Sequence, residues 1–164
     1  MREFHSLSAR AVDALADRPE FRLTPWPDPV IDRLGYDPRH PYCEKFWTPI
    51  VGPTVYLLGR RFVDWLDEHP DGLGVAPVPL AGALGLGNGV GRHSPLLRSL
   101  ARLVGFELAA VHPSGAGLSV RQHWPPLPAR RAARLPGWLA EEHRAEIETH
   151  APTRLAVRRP EPAA

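Results

Sequence analysis

The chain has 164 residues, of which 43% are hydrophobic and 23% are charged, a balance typical of a soluble globular protein. This length allows one well-buried core but is short for two full domains, and no apolar run is long enough to predict a membrane-spanning helix. A single cysteine, Cys43, excludes an internal disulfide and is typical of a reducing compartment, so we expect a cytoplasmic protein. The first residues do not resemble a secretory signal peptide.

The net charge is only +2, but it is unevenly distributed along the chain. Residues 92–134 contain seven arginines and one acidic residue, Glu107, a local balance of +6. Residues 54–71 and 138–150 carry −2 and −3. Nineteen of the 20 basic residues are arginine, which by itself is typical of a GC-rich bacterial genome. The concentration of positive charge in one segment, in contrast, favours a nucleic-acid partner.

The N-terminal part of the chain predicts a helix followed by a proline-rich arm. Apolar residues at helical spacing predict an amphipathic helix over residues 2–18. Residues 24–41 contain five prolines and should be mainly extended, with a short helix over residues 28–35. We expect Trp26, between two prolines, to hold this arm against the core.

The middle of the chain predicts three helices and a glycine-rich turn. We expect a brief aromatic-rich helix over residues 42–47, the strongest amphipathic helix over residues 55–69, and a weaker one over residues 77–86. Alternating glycines occupy residues 85–91. They lack the Gly-Lys-Ser/Thr ending of a phosphate-binding loop, and we interpret them as an expanded turn.

One further segment carries the clearest signals of local structure. Ser94 can cap the first free amides of a helix, and Pro95 suits its first position. Leucines at helical spacing give this helix an apolar face, and Gly105 stands where a left-handed residue would end it. Residues 106–111 and 118–122 then predict two short strands joined by a loop rich in turn-forming residues.

Beyond this hairpin we expect two short helices and a disordered tail. The helices are predicted over residues 129–135 and 137–149. The chain then divides into an N-terminal helix and proline-rich arm (1–41), a central domain (42–128), a C-terminal helical extension (129–150) and the tail (151–164).

The order of a core helix, a second helix, a basic third helix and a hairpin resembles the winged helix-turn-helix superfamily over residues 54–124. The run from Ser94 to Phe106 is similar to the third helix of bacterial regulators, in which leucines face inward. Residues 42–127 also resemble a family of proteins from GC-rich bacteria, a likeness that implies no function. The superfamily resemblance implies a mainly α fold with a small β-hairpin, in which a winged helix-turn-helix core carries N- and C-terminal helical extensions.

The same resemblance implies a DNA-binding protein, either a transcriptional regulator or a nucleoid-associated factor. The third helix would enter the major groove of double-stranded DNA, and neighbouring cations would contact phosphates. A homodimer through the terminal helices is expected. The candidate contacts are Arg92, His93, Arg98, Ser99, Arg102, His112, Arg121, Arg130, Arg131 and Arg134.

The alternative is a protein-interaction module that docks on a larger machine such as polymerase or ribosome. Its anchors would be Trp26 and the aromatic group Tyr42, Phe46 and Trp47. Neither hypothesis involves an enzyme. The eight histidines include no pair three or four residues apart on a helix, and no nucleophile elbow is present, so we expect no metal, no cofactor and no catalytic residue.

Overall fold

A small mixed sheet brings together segments from distant parts of the chain. The structure is a computed structural model that describes residues 10–15 and 17–156, with side chains as far as residue 149. The strands β1 (Phe21–Pro25), β2 (Leu73–Val75), β3 (Ala109–Val111) and β4 (Gly117–Val120) lie in the order β2-β1-β4-β3. β1 is antiparallel to β2 and parallel to β4, and β3 and β4 form an antiparallel hairpin.

Helices make up the larger part of the described chain. Residues 10–15 are helical. The helices that follow are α1 (Pro29–Leu34), a π-helical segment (Cys43–Trp47), α2 (Thr48–Val51), α3 (Pro53–Glu68), α4 (Pro77–Ala83), α5 (Pro95–Gly105), α6 (Ala129–Ala132) and α7 (Gly137–Ala156).

The helix α3 lies at the centre of the core. Pro53 occupies its first turn and directly follows Gly52, whose φ of 94° favours glycine. Gly59 lies against the indole ring of Trp124, and a Cβ at this position would overlap the ring. The lack of a side chain at Gly59 therefore lets α3 approach the buried tryptophan. The buried side chains of α3 include Val55, Leu58, Phe62, Val63 and Leu66.

One hydrophobic core joins the N-terminal, central and C-terminal parts of the chain. Leu15 and Leu23, from the segment predicted as helix and arm, are fully buried in it. Leu135 and Leu139, from the predicted C-terminal extension, are buried in the same cluster. The predicted divisions at residues 41 and 128 therefore do not coincide with gaps in the core.

The prediction of a mainly α fold with a small β part is confirmed. The hairpin, however, belongs to a four-stranded sheet and is not an isolated pair. The sequence predicts extended chain only for the last two residues of β1, Thr24 and Pro25, and nothing regular at β2. Both are too short for a clear alternation of apolar and polar residues, and β1 ends at Pro25.

The ends of two helices test the capping predictions. α1 begins as predicted, because the Asp28 carboxylate accepts hydrogen bonds from the amides of Val30 and Ile31 at 3.1 Å. The prediction that Gly105 ends α5 in a left-handed conformation is wrong. Gly105 is still helical, and the left-handed residue is Glu107, with a φ of 61°.

The two chain ends differ from the sequence prediction in one respect. Residues 10–15 are helical, as predicted, while residues 1–9 and 16 lie outside the described residues. The helix α7 continues to Ala156, so the prediction of a disordered tail is wrong for residues 151–156. Residues 157–164 lie outside the described part of the chain.

Candidate nucleic-acid interface

Of the three α5 side chains predicted to contact DNA, one is exposed to solvent, one is buried and one is bonded within the protein. Its leucines are buried, as the apolar spacing predicts. Ser99 is also buried, and its hydroxyl donates to the Pro95 carbonyl at 2.9 Å. Ser99 therefore faces the protein and does not contribute a base contact, contrary to the prediction. Arg98 is the arginine of this helix that is exposed to solvent.

The guanidinium group of Arg102 makes its hydrogen bonds within the protein. Its Nε donates to the Val51 carbonyl at 3.0 Å, and its Nη2 donates to the Ile50 carbonyl at 3.1 Å. These carbonyls lie at the C-terminal end of α2, where a helix leaves acceptors without intrahelical partners and favours a cation. The same guanidinium lies 5.5 Å from the centre of the Phe106 ring. Arg102 thus joins α2 to α5, and little of it remains for a ligand.

Arg121 connects the hairpin to the N-terminal arm. Its Nη1 donates to the Asp28 carboxylate at 2.7 Å, and its Nε donates to the Glu107 carbonyl at 2.9 Å. The guanidinium also stacks on the Trp26 ring, 4.0 Å from its centre. With 13% of its side chain exposed, Arg121 has a structural role in place of the predicted phosphate contact.

His112 lies between two strands and does not point outward from the hairpin. Its Nε2 lies 3.0 Å from the Thr24 hydroxyl and 2.8 Å from the Ser119 hydroxyl, and these two hydroxyls are themselves 3.0 Å apart. This three-residue network bridges β1 and β4. The predicted contact between His112 and DNA is therefore replaced by a contact that holds the parallel strands together.

Arg131 is packed between aromatic rings. Its guanidinium lies 4.5 Å from the centre of the Phe106 ring and 5.7 Å from that of Trp47, and its Nη1 donates to the Phe106 carbonyl at 3.3 Å. Burial lowers the pKa of Arg131, and the nearby positive charge of Arg130 lowers it further. No carboxylate oxygen of the described residues lies within 4.0 Å of the Arg131 guanidinium nitrogens, so its positive charge has no direct ion-pair partner there.

The remaining candidates are exposed. Arg92, with 72% of its side chain exposed, lies 3.3 Å from the Asp13 carboxylate, and His93 is exposed in the turn before α5. Arg98, Arg130 and Arg134 are exposed, and no carboxylate oxygen of the described residues lies within 4.0 Å of their guanidinium nitrogens. These three cations are therefore available to an anionic partner.

Phe106 brings the basic part of α5 next to the basic residues around α6. Arg102, one turn earlier on α5, and Arg131 both stack on its ring. The spacing of four residues between Arg102 and Phe106 could have predicted the first contact, but no sequence signal predicts the second. We call the group formed by Arg98, Arg102, Arg130, Arg131 and Arg134 the arginine surface.

The aromatic anchors of the alternative hypothesis are not available to a partner. Tyr42, Phe46 and Trp47 are buried, and the Tyr42 ring stacks on that of Tyr36 at 3.8 Å. Trp26 is partly covered by Arg121. The exposed tryptophan is Trp138 on α7, with 64% of its surface accessible, and the sequence analysis did not select it.

The described residues contain no group of three or more His, Cys, Asp and Glu side chains arranged to hold a metal ion. Cys43 is buried, and burial raises the pKa of its thiol to about 12, so it is not a thiolate at neutral pH. No helix in the described ranges is both long and apolar enough to cross a lipid bilayer.

Comparisons of the sequence with family models and with curated proteins, and of the structure with solved structures, gave no match.

Proposed function

We propose that the chain is a winged helix-turn-helix protein that binds duplex DNA mainly through its phosphates. The observation that carries this proposal is the exposure of Arg98, Arg130 and Arg134 without a carboxylate partner. Phosphate contacts by arginine supply most of the affinity of proteins that bind DNA with little sequence preference.

The order of the elements supports the winged-helix part of the proposal. The helices α3, α4 and α5 follow one another in the chain, and the hairpin β3–β4 comes directly after α5. The N-terminal strand β1 adds to this arrangement by pairing with the outer side of β4.

The contacts of α5 favour a nucleoid-associated factor over a sequence-specific regulator. Base recognition requires several side chains that reach base edges. Each well-formed contact between a side chain and a base contributes about 1–3 kcal/mol of discrimination against the wrong base. Ser99 is buried and Arg102 is bonded to α2, so Arg98 alone remains on the outer face. We therefore expect weak discrimination between DNA sequences.

A salt titration of duplex binding tests the proposal. Each neutralised phosphate contributes about 0.9 to the slope of log Kd against log salt concentration. Replacing Arg98, Arg130 and Arg134 together by glutamine should therefore reduce this slope by about 2–3 and weaken binding at 100 mM salt by at least about tenfold. Fluorescence anisotropy with a labelled random duplex measures both quantities.

The matched control replaces Arg10, Arg18 and Arg33, which are also exposed and lie outside the arginine surface. This triple variant removes the same net charge and should lose less than about threefold in affinity for the duplex. The removed charges lie away from the arginine surface, so they attract the DNA only over a long, screened distance. Equal losses in the two triple variants would show that net charge, and not the arginine surface, determines binding. An absence of duplex binding by the unmodified protein would overturn the proposal altogether.

A protein-docking module is the second candidate, and Trp138 is the observation that favours it. A tryptophan with 64% exposure is a typical anchor of protein interfaces. Self-association is the form of docking that can be tested without an identified partner. Sedimentation of the protein and of Trp138→Ser should show a dimer that dissociates in the variant, and a monomer in both cases would contradict this candidate.

A further inference from the structure

A small cavity lies beside Arg131, between the end of α5, α6 and the N-terminal arm. Its volume is about 240 Å³. Three arginines line it, Arg121, Arg130 and Arg131, and the carboxylate among its lining residues is that of Glu107. We call it the Arg131 cavity.

The three arginines differ in how far their charges are neutralised. Arg121 is paired with Asp28 at 2.7 Å. Arg130 and Arg131 have no carboxylate oxygen of the described residues within 4.0 Å, so the Glu107 side chain does not pair with either of them. The cavity is therefore lined by two arginines that form no direct ion pair within the described residues, although the Glu107 charge acts on Arg131 from a distance.

The hydrogen-bond donors of Arg131 are only partly used. Its Nη1 donates to the Phe106 carbonyl at 3.3 Å, and among the described residues its Nε and Nη2 have no acceptor. A guanidinium presents these two donors as a fork that matches two oxygens of one phosphate. The guanidinium lies 4.5 Å from the centre of the Phe106 ring and 5.7 Å from that of Trp47, and these contacts restrict its movement, which reduces the entropic cost of binding.

The backbone at Glu107 is the second unusual feature of the cavity. Its φ of 61° lies in the left-handed region, where a residue with a Cβ is strained. The Glu107 carbonyl accepts from Arg121, and Glu107 is one of the residues that line the cavity. Glutamate rather than glycine at this position places a carboxylate at the edge of the cavity, where it limits the local positive charge.

We propose that the Arg131 cavity binds the phosphoryl group of a small phosphate monoester, with Arg130 and Arg131 as its ligands. The apolar walls provided by Ile31, Pro125 and Pro128 would contact the organic part of the ester. A cavity of this size accommodates a phosphoryl group and a small apolar substituent, whereas a nucleotide exceeds it. The inference does not depend on DNA binding, although a DNA phosphate shares the same chemistry.

Isothermal titration calorimetry with phenyl phosphate tests this site. We expect saturable binding, at least threefold tighter than the binding of inorganic phosphate because the phenyl ring contacts the apolar walls. Phenol, which lacks the anion, should not bind. Arg130→Gln and Arg131→Gln should each weaken phenyl phosphate binding at least fivefold, because each removes one of the two unpaired cations.

Arg134→Gln is the matched control, since Arg134 is exposed near the same helix but does not line the cavity. Its affinity for phenyl phosphate should stay within twofold of the unmodified value. Arg130 is exposed, so Arg130→Gln keeps the test decisive even if Arg131→Gln does not fold. No saturable binding, or an equal loss in Arg134→Gln, would overturn the proposal.

Competition with duplex DNA distinguishes the two sources of the phosphate. If a short duplex displaces phenyl phosphate, the cavity accepts a phosphate of the nucleic acid. If both ligands bind together, the cavity is a separate site for a small molecule. Since phenyl phosphate binding is measured without DNA, failure of the DNA proposal leaves this test unaffected.

Discussion

Arg121 and Asp28 lie 93 residues apart in the sequence and form an ion pair of 2.7 Å. The pair connects the start of α1 to the end of β4, and the N-terminal arm is therefore part of the folded unit. The hydrogen bond from Arg121 holds the pKa of the Asp28 carboxyl below its usual value. Asp28 also caps α1 through the amides of Val30 and Ile31.

We predict that Asp28→Asn lowers stability at pH 7 and that this loss becomes smaller at pH 3. A carboxyl whose pKa is lowered by folding contributes stability that is complete above its unfolded pKa of about 3.9 and is lost as the pH falls through the lower folded pKa. Asparagine is an equally good helix cap, so the substitution isolates the ion pair. Urea unfolding at the two pH values measures the difference, and equal destabilisation at both would contradict the prediction.

We predict that Glu107→Gly stabilises the protein by up to about 1 kcal/mol, because glycine adopts a positive φ without the strain of a Cβ. The hydrogen bonds from the amides of Glu107 and Leu108 to Val104 and Leu103, each 3.0 Å, should remain. Glu107→Ala is the control, since it removes the charge and keeps the strain. If alanine stabilises as much as glycine in urea unfolding, charge and not backbone strain is the cause.

We predict opposite effects for two glycine-to-alanine substitutions in helices. Gly59→Ala should destabilise by about 1–3 kcal/mol, because the new Cβ would overlap the buried Trp124 ring. Gly82→Ala should stabilise by about 0.5–1 kcal/mol, because no atom lies within 4 Å of its Cβ position and alanine favours the helix. Thermal and urea unfolding measure both changes. A destabilised Gly82→Ala would show that α4 is not an ordinary helix at this position.

The sequence predicts local structure well where the signal is carried by neighbouring residues. The cap at Asp28, the start of α5 at Ser94 and the buried face of α3 all depend on residues within one or two helical turns. Gly105 shows the limit of this reasoning. The local pattern predicts a left-handed glycine, but Gly105 is the last helical residue of α5, and the left-handed position falls two residues later, on Glu107.

The candidate site was less predictable because tertiary contacts decide what an arginine does. Arg98 and Arg102 lie on one helical face in the sequence, yet one is exposed and the other is bonded to α2. Likewise Arg121 forms an ion pair with Asp28, and Asp28 lies in the part of the chain that the sequence predicts to be a separate N-terminal arm. The count of positive charges in residues 92–134 is correct, but it does not distinguish free cations from bonded ones.

The buried side chain of His143 leads us to predict that the folded protein loses stability in mild acid. Its Nε2 lies 2.8 Å from the Tyr42 hydroxyl, which accepts a hydrogen bond from the Leu127 amide at 2.8 Å. Burial lowers the pKa of His143, so the folded state favours the neutral ring. Because the unfolded state binds the proton more readily, this contribution to stability is complete above pH ~6.5 and declines as the pH falls through the lower folded pKa.

We therefore expect His143→Gln to flatten the pH dependence of stability below about pH 6.5. At pH 8 the variant should be less stable by about 1 kcal/mol, because the contact with Tyr42 is weakened. This deficit should shrink as the pH falls, because the unfolded state of the unmodified protein then binds a proton that burial disfavours in the folded state. His69→Gln is the control, since His69 is exposed and its replacement should leave the profile unchanged. Parallel profiles for the protein and His143→Gln, measured by urea unfolding, would exclude His143 as the origin of the acid sensitivity.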